Sequence, residues 1–199
     1  MNSVTPDPTL RRALRWVAAL NFAYFGIEFW VATAIGSVSL FADSIDFLED
    51  TSINLLILIA LSWAPRKRAL VGMGLAAILL IPGIATLWTA WQKFATPIPP
   101  EPLSLSLTGL GALVVNVTCA FLLMRVRSHG GSLTKAAFLS ARNDVLANVA
   151  IIAAGLVTAA TVSAWPDLVV GLGIFLMNLD AAREVFAAAQ KEIRTVPQP

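Results

Sequence analysis

Six segments of this chain are apolar over roughly 20 residues or more, which is the length that an α-helix needs to cross a bilayer. Only 13% of the 199 residues are charged, whereas a soluble domain carries roughly 25%. The segments run from Ala13 to Ile35, Ser39 to Ala64, Ala69 to Phe94, Leu103 to Met124, Ala136 to Val162 and Trp165 to Ala187. The sequence therefore predicts an all-α fold, a bundle of six transmembrane helices.

The basic residues indicate how this bundle lies in the membrane. Of the 14 basic residues, 12 lie at one end of the predicted helices. Lys93 lies at the other end, and Arg142 lies within the fifth segment, where we expect it to pair with an acid inside the bundle. Because basic residues stay on the cytoplasmic side, we expect both termini in the cytoplasm. Residues 1–12 are then a cytoplasmic N-terminal segment, 13–188 the transmembrane domain and 189–199 a short cytoplasmic tail.

Several classes of protein are excluded by composition. A single cysteine, Cys119, cannot form a disulfide within the chain or a cysteine-rich zinc site, and we expect it to be a packing residue. The net charge of +2 does not indicate a nucleic-acid partner. The N-terminus lacks the pattern of a cleaved signal peptide. We expect a multi-pass protein of the bacterial inner membrane, with the lipid bilayer as a partner.

The second apolar segment contains four acids where lipid is expected: Asp43, Asp46, Glu49 and Asp50. A charge at membrane depth costs at least about 2.5 kcal/mol, so such residues usually face a cavity, a partner or an ion. Asp46 and Asp50 are four residues apart, which places both carboxylates on one face of a helix. This pair suits a divalent cation.

Two other segments contain polar residues at helical spacing. In the fifth segment they follow the pattern i, i+4, i+8, and in the first the pattern i, i+3, i+7. They are Ser140, Asp144 and Asn148, and Asn21, Tyr24 and Glu28. At 1.5 Å per residue, Asp46 and Asp50 lie roughly 10 to 16 Å deep and Asp144 about 12 Å deep from the opposite side. These depths predict one site near the bilayer midplane, as in alternating-access transporters.

Four stretches of the chain resemble the cation diffusion facilitator family. GSVSLFADSIDFLEDTSINLLIL resembles the second helix of that family, and LNFAYFGIEFW, LSARNDVLANVAII and WPDLVVGLGIFLMNLDAAREV resemble its first, fifth and sixth helices. The resemblance covers roughly residues 10 to 190 and is closest to a short subgroup that lacks the C-terminal cytoplasmic domain. It implies proton-coupled efflux of a divalent cation (zinc, cobalt, cadmium, manganese or iron) by a homodimer, with no cofactor and no enzymatic activity.

The resemblance also assigns the ligands of the transported metal. Asp46 and Asp50 match the family's helix 2 pair, and Asp144 matches one member of its helix 5 pair. Ser140 stands where the family has His or Asp and is a weaker candidate, as is Asp43, which we expect to shape the entrance instead. An all-oxygen set favours hard ions such as manganese or magnesium over zinc.

Two alternatives remain open from the sequence. The first is a non-transporting membrane partner or sensor that keeps the fold but has lost coupling because of Ser140. The second is a metal-dependent intramembrane transferase, although the Asp-Gly-x-x-Ala-Arg pattern of such enzymes is absent. Among the remaining polar residues, we expect Glu28, Glu49 and Asn148 to join helices and Asp167 to cap one.

Overall fold

The computed structural model describes residues 8–60, 84–126 and 131–195, with no side chain described at 60, 131–136, 138–140, 180–182 or 184–195. The described residues form six helices. They are α1 (Pro8–Ile35), α2 (Val38–Ala60), α3 (84–95), α4 (Pro102–Val126), α5 (Gly131–Thr161) and α6 (Trp165–Thr195). The predicted all-α fold is confirmed. Residues 61–83 lie outside the described residues, and they include the end of the second predicted segment, the join and most of the third segment.

Among the described residues, three spans are long and apolar enough to cross a membrane: Pro8–Ile35, Pro102–Val126 and Ala141–Thr161. A shorter apolar stretch, Trp165–Leu179, begins α6. The 23 residues of α2 are also long enough to span, but the segment includes four acids. The described part of the chain thus supports an integral membrane protein, and α2 is the helix whose burial needs a further explanation.

A tight turn folds α2 back against α1. Gly36 adopts a φ of 64°, which a glycine tolerates without strain, and the Ser37 N–H bonds the carbonyl oxygen of Ala32 at 2.9 Å. The Lys93 Nζ of α3 donates to the Gly36 carbonyl oxygen at 2.5 Å. The turn therefore fixes the N-terminus of α2, from which the acidic residues follow.

An acid of α6 caps this N-terminus. Asp167 accepts hydrogen bonds from the backbone N–H of Val38 and Ser39, and from the hydroxyls of Ser37 and Ser39. We expected Asp167 to cap a helix, and it does so for α2 rather than for its own helix. Close packing supports the contact, because a Cβ on Gly171 would lie 2.7 Å from the Val38 carbonyl carbon.

The two larger of the three described apolar clusters lie at opposite ends of the bundle. One packs Leu14 and Val17 of α1 against Leu123 of α4, and the other packs Leu40 of α2 against Leu105 and Ile151. The large apolar side chains that remain exposed point outward, including Trp30 and Phe22 of α1. Helix α1 packs against α2 and α4, and α2 also packs against α5 and α6. The polar residues of α1, α2 and α5 lie in the layer between the clusters.

Candidate metal centre

The acids of α2 are placed largely inside the bundle. Asp43 is fully buried and Asp50 is 5% exposed, whereas Asp46 and Glu49 are partly buried. Asp46 and Asp50 are one turn apart on the same helix, as their spacing predicts. Burial of so many carboxylates in one helix is explained only by what the neighbouring helices bring to them.

Helix α5 brings a further carboxylate to this layer. Asp144 is partly buried, and its charge acts on Asp46, while the charges of Asp43, Glu49 and Asp50 act on Asp144. Ser140 is one turn before Asp144 on the same face of α5, but its side chain lies outside the described residues. The carboxylates of α2 and α5 thus share one interior.

Sharing an interior is not yet a ligand shell. Among the described residues, no three acidic, histidine or cysteine side chains are arranged to hold a metal ion. Zn²⁺ and Ca²⁺ lie about 2.0 to 2.6 Å from their oxygen ligands, so a metal site needs several carboxylate oxygens around one point. Metal binding at this site therefore requires these side chains to move toward a common point.

Asn21 of α1 is the neutral partner of this carboxylate group. Its Nδ2 donates to Asp50 Oδ2 at 3.3 Å, and its Oδ1 accepts a weak hydrogen bond from the Cys119 thiol of α4 at 3.4 Å. Cys119 is fully buried, as expected for a packing residue. Asn21 therefore ties Asp50 to two helices beyond its own.

A chain of buried amides reaches Asp43 from the other side. Asn116 of α4 donates to Asn148 Oδ1 at 3.0 Å, and Asn148 donates to Asp43 Oδ2 at 2.7 Å. The expectation that Asn148 joins helices is confirmed. Sequence analysis missed Asn116, although an amide in the middle of an apolar segment could have indicated such a role.

Glu28 and Asp43 form a carboxylate pair without donors on three of their four oxygens. Glu28 is fully buried on α1, and the charge of Asp43 acts directly on it. Neither oxygen of Glu28 has a hydrogen-bond partner, nor does Asp43 Oδ1. Ionised carboxylates in contact away from water are costly unless a positive charge compensates them. Glu28 and Asp43 lie within reach of a side-chain hydrogen bond between α1 and α2 once one of them carries a proton, as expected of Glu28.

Arg142, the basic residue within the fifth predicted segment, does not supply a compensating charge. Arg142 and Asn143 are exposed, whereas Asp144, which follows them directly on α5, is partly buried. The expectation that Arg142 pairs with an acid inside the bundle is wrong, because positions two apart on a helix point about 200° apart. Lys93 lies at the end of the bundle, beside Gly36 and Asp167.

Comparison with known proteins places the chain at the level of a family. A family model described as the cation efflux transmembrane domain matches residues 14–193, well over half of the chain. No curated protein sequence matches this chain. The match includes the carboxylate layer and all six described helices.

Proposed function

We propose that this chain, which belongs to the cation efflux family of membrane transporters, moves a divalent metal cation through a site formed by Asp46 and Asp50 of α2 with Asp144 of α5. The observation that carries the site assignment is the presence of these carboxylates, from two helices, in one layer between two apolar clusters. Because family members are transporters, the alternative of an intramembrane transferase is excluded.

The chemistry of the ligands supports a hard divalent cation as the cargo. Carboxylate and hydroxyl oxygens suit manganese or magnesium better than zinc, which prefers nitrogen and sulfur ligands. Ser140 completes the proposed set by its position one turn before Asp144. Asp43 is a weaker candidate ligand, because one of its oxygens is already bonded to Asn148.

Proton exchange provides the coupling in this proposal. Metal binds ionised carboxylates, so a proton and a metal ion compete for the same oxygens, and the entry of one expels the other. The compensating charge that Glu28 and Asp43 require is supplied by a proton on the same argument. The remaining parts of the proposal are export from the cytoplasm, both termini in the cytoplasm, a homodimer and the bacterial inner membrane.

A second candidate function is a non-transporting partner or sensor. Ser140 favours it, because serine offers only a neutral oxygen where the related proteins offer His or Asp. Such a protein would bind metal through the acids without moving it.

The purified full chain in liposomes, with a metal-uptake panel and a proton-sensitive dye inside, tests both candidates. A transporter is expected to move at least one divalent metal and to move protons in the opposite direction. Saturable metal binding without movement of metal would overturn transport and support the sensor. Liposomes without protein provide the leak rate for each metal.

A further inference from the structure

One face of α1 carries a cluster of arginines next to a groove. The groove has a volume of about 680 Å³ and lies near the start of the helix. It is lined by Pro8, Arg11, Arg12, Arg15, Trp16 and Ala19. Except for Arg11, these residues follow helical spacing along one face of α1, so the groove runs along the helix rather than across it.

The guanidinium groups are available to a ligand. Arg12 and Arg15 are exposed and Arg11 is partly so. Within the part of the chain that the structure describes, no acid pairs with any of the three. Arginine matches a phosphate group in shape and charge and binds it through two parallel hydrogen bonds. The cluster therefore has unused capacity for an anion.

The surface of α1 beyond the arginines is apolar and exposed. Phe22 and Trp30 are 60% and 70% exposed, and between them a Cβ on Gly26 would meet no atom within 4 Å. Ala19 and Ala23 are exposed as well, so small residues leave an open track from the groove toward Gly26. Arg15 and Gly26 are 11 residues apart, or about 16 Å along the helix, which is close to the depth of one leaflet.

Trp16 marks the level of the interface. It is 54% exposed on the same face as Arg12, one turn further along α1. Tryptophan is enriched where the headgroups meet the acyl chains, because its ring is amphipathic. Charged groups above this level and an apolar track below it match the two parts of a phospholipid.

We propose that Arg11, Arg12 and Arg15 bind the phosphate of an anionic phospholipid whose acyl chain lies along the Ala19–Gly26 track of α1. A free phosphate would use the arginines but not the track. A zwitterionic lipid would place the cationic group of its own headgroup near the three arginines, which repel it. The site is independent of the carboxylate layer, since it lies at the end of α1 and on its outer face.

Native mass spectrometry of the full chain in a neutral detergent tests the site, with phosphatidylglycerol and phosphatidylcholine as probes. Wild-type protein is expected to retain phosphatidylglycerol in preference to phosphatidylcholine. At about one factor of five per arginine near a membrane surface, Arg15→Gln should weaken phosphatidylglycerol binding roughly fivefold, and Arg12→Gln with Arg15→Gln roughly 25-fold.

Arg125→Gln is the matched control. Arg125 lies near the end of α4, is exposed and stacks on the Phe121 ring at 4.4 Å, and it does not line the groove. The same loss of charge there should leave phosphatidylglycerol binding within about twofold of wild type. An equal loss of phosphatidylglycerol binding in Arg15→Gln and Arg125→Gln would show only a general attraction between basic residues and an anionic lipid, which would overturn the proposed site. Displacement of the lipid by inorganic phosphate at a comparable concentration would also overturn it.

Discussion

Asp167 Oδ1 accepts hydrogen bonds from both the backbone N–H of Ser39, at 3.1 Å, and its hydroxyl, at 2.6 Å. One carboxylate of α6 thus holds the first turn of α2, more than 120 residues away in sequence. The unpaired N–H groups at a helix N-terminus favour a negative charge, and this one is fully buried. The position of α2, and with it that of the acids which follow, therefore depends on α6.

Removal of this cap is expected to destabilise the bundle. Asp167→Ala leaves the Val38 and Ser39 N–H groups and two serine hydroxyls without their acceptor, which costs about 3 kcal/mol or more. Asp167→Asn keeps the volume but removes one acceptor oxygen and the charge, and should cost less. Thermal unfolding of the purified full chain in detergent measures both.

Thr161→Val is a suitable control for Asp167, since it removes an exposed hydrogen bond within α5 alone. It should leave the unfolding temperature nearly unchanged. If Asp167→Ala unfolded at the same temperature as this control, the cap would contribute nothing to stability.

Two glycines of α6 offer a matched pair for the same contact. A Cβ on Gly171 would lie 2.7 Å from the backbone of Val38 and 2.8 Å from that of Ser39, whereas one on Gly173 would meet nothing within 4 Å. Gly171→Ala should separate α6 from α2 at a cost of about 1 to 3 kcal/mol. Gly173→Ala should be neutral or stabilising by up to about 1 kcal/mol, since alanine favours the helix.

Chemical or thermal unfolding of the two alanine variants distinguishes packing from helix propensity. Propensity acts equally at both positions, so only the contact with α2 can separate them. Equal unfolding temperatures would mean that α6 does not approach α2 as closely as described.

The length of the apolar segments was enough to predict an all-helical bundle, and helical periodicity predicted the inward faces of Asp46, Asp50 and Asn148. Long-range partners were not predictable in the same way. Asp167 follows Pro166 at the start of a helix, which is typical of a local cap, and nothing in its neighbourhood indicates a partner on α2. Asn116 is similar, because its partner depends on how α4 rotates against α5.

The error at Arg142 was avoidable from the sequence. Asp144 and Arg142 are two positions apart, so both cannot face the interior of a straight helix. The acids of the bundle do not require a basic side chain beside them. In a transporter, the cargo and protons can provide the compensating charge instead.

An ionised side chain outside the membrane segments caps α4. Glu101 accepts hydrogen bonds from the backbone N–H groups of Leu103, at 3.0 Å, and Ser104, at 2.5 Å, just before Pro102 begins the helix. Hydrogen bonding from Ser104, and then from Leu103, holds the pKa of Glu101 below its ordinary value of 4.5. The cap is therefore fully present above about pH 4.5 and is lost as the pH falls through the lower pKa of the folded protein.

Glu101→Gln should accordingly lower the unfolding temperature at neutral pH and leave it almost unchanged at low pH. The unfolding temperatures of wild type and Glu101→Gln are measured from pH 7 to pH 3. Other titrating groups affect both proteins equally, so the difference between the two temperatures at each pH reports on Glu101 alone. A constant difference across this range would show that the charge of Glu101 has no role in the cap.

The carboxylates of the proposed metal site should be required for flux but not for folding. Asp46→Asn and Asp144→Asn remove one ligand charge each while keeping the side-chain volume. Because like charges repel one another in this layer, either change should leave stability equal or higher. Metal flux in proteoliposomes should fall to the background of empty liposomes. Glu49→Gln is the control on the same helix, since Glu49 is proposed as a non-ligand, and it should retain flux.

Ser140 determines which metal the site prefers if it is a ligand. Ser140→His would add a nitrogen donor one turn before Asp144, beside two or three carboxylate oxygens, which is a set that suits zinc. The variant should therefore raise the ratio of the initial rates of zinc and manganese transport by about tenfold. This change corresponds to about 1.4 kcal/mol of differential binding between the two metals. Ser140→Ala provides the comparison, because it removes the oxygen without adding a donor and should slow both metals. An unchanged zinc-to-manganese ratio in a folded Ser140→His protein would place this position outside the ligand shell and leave the metal to the carboxylates alone.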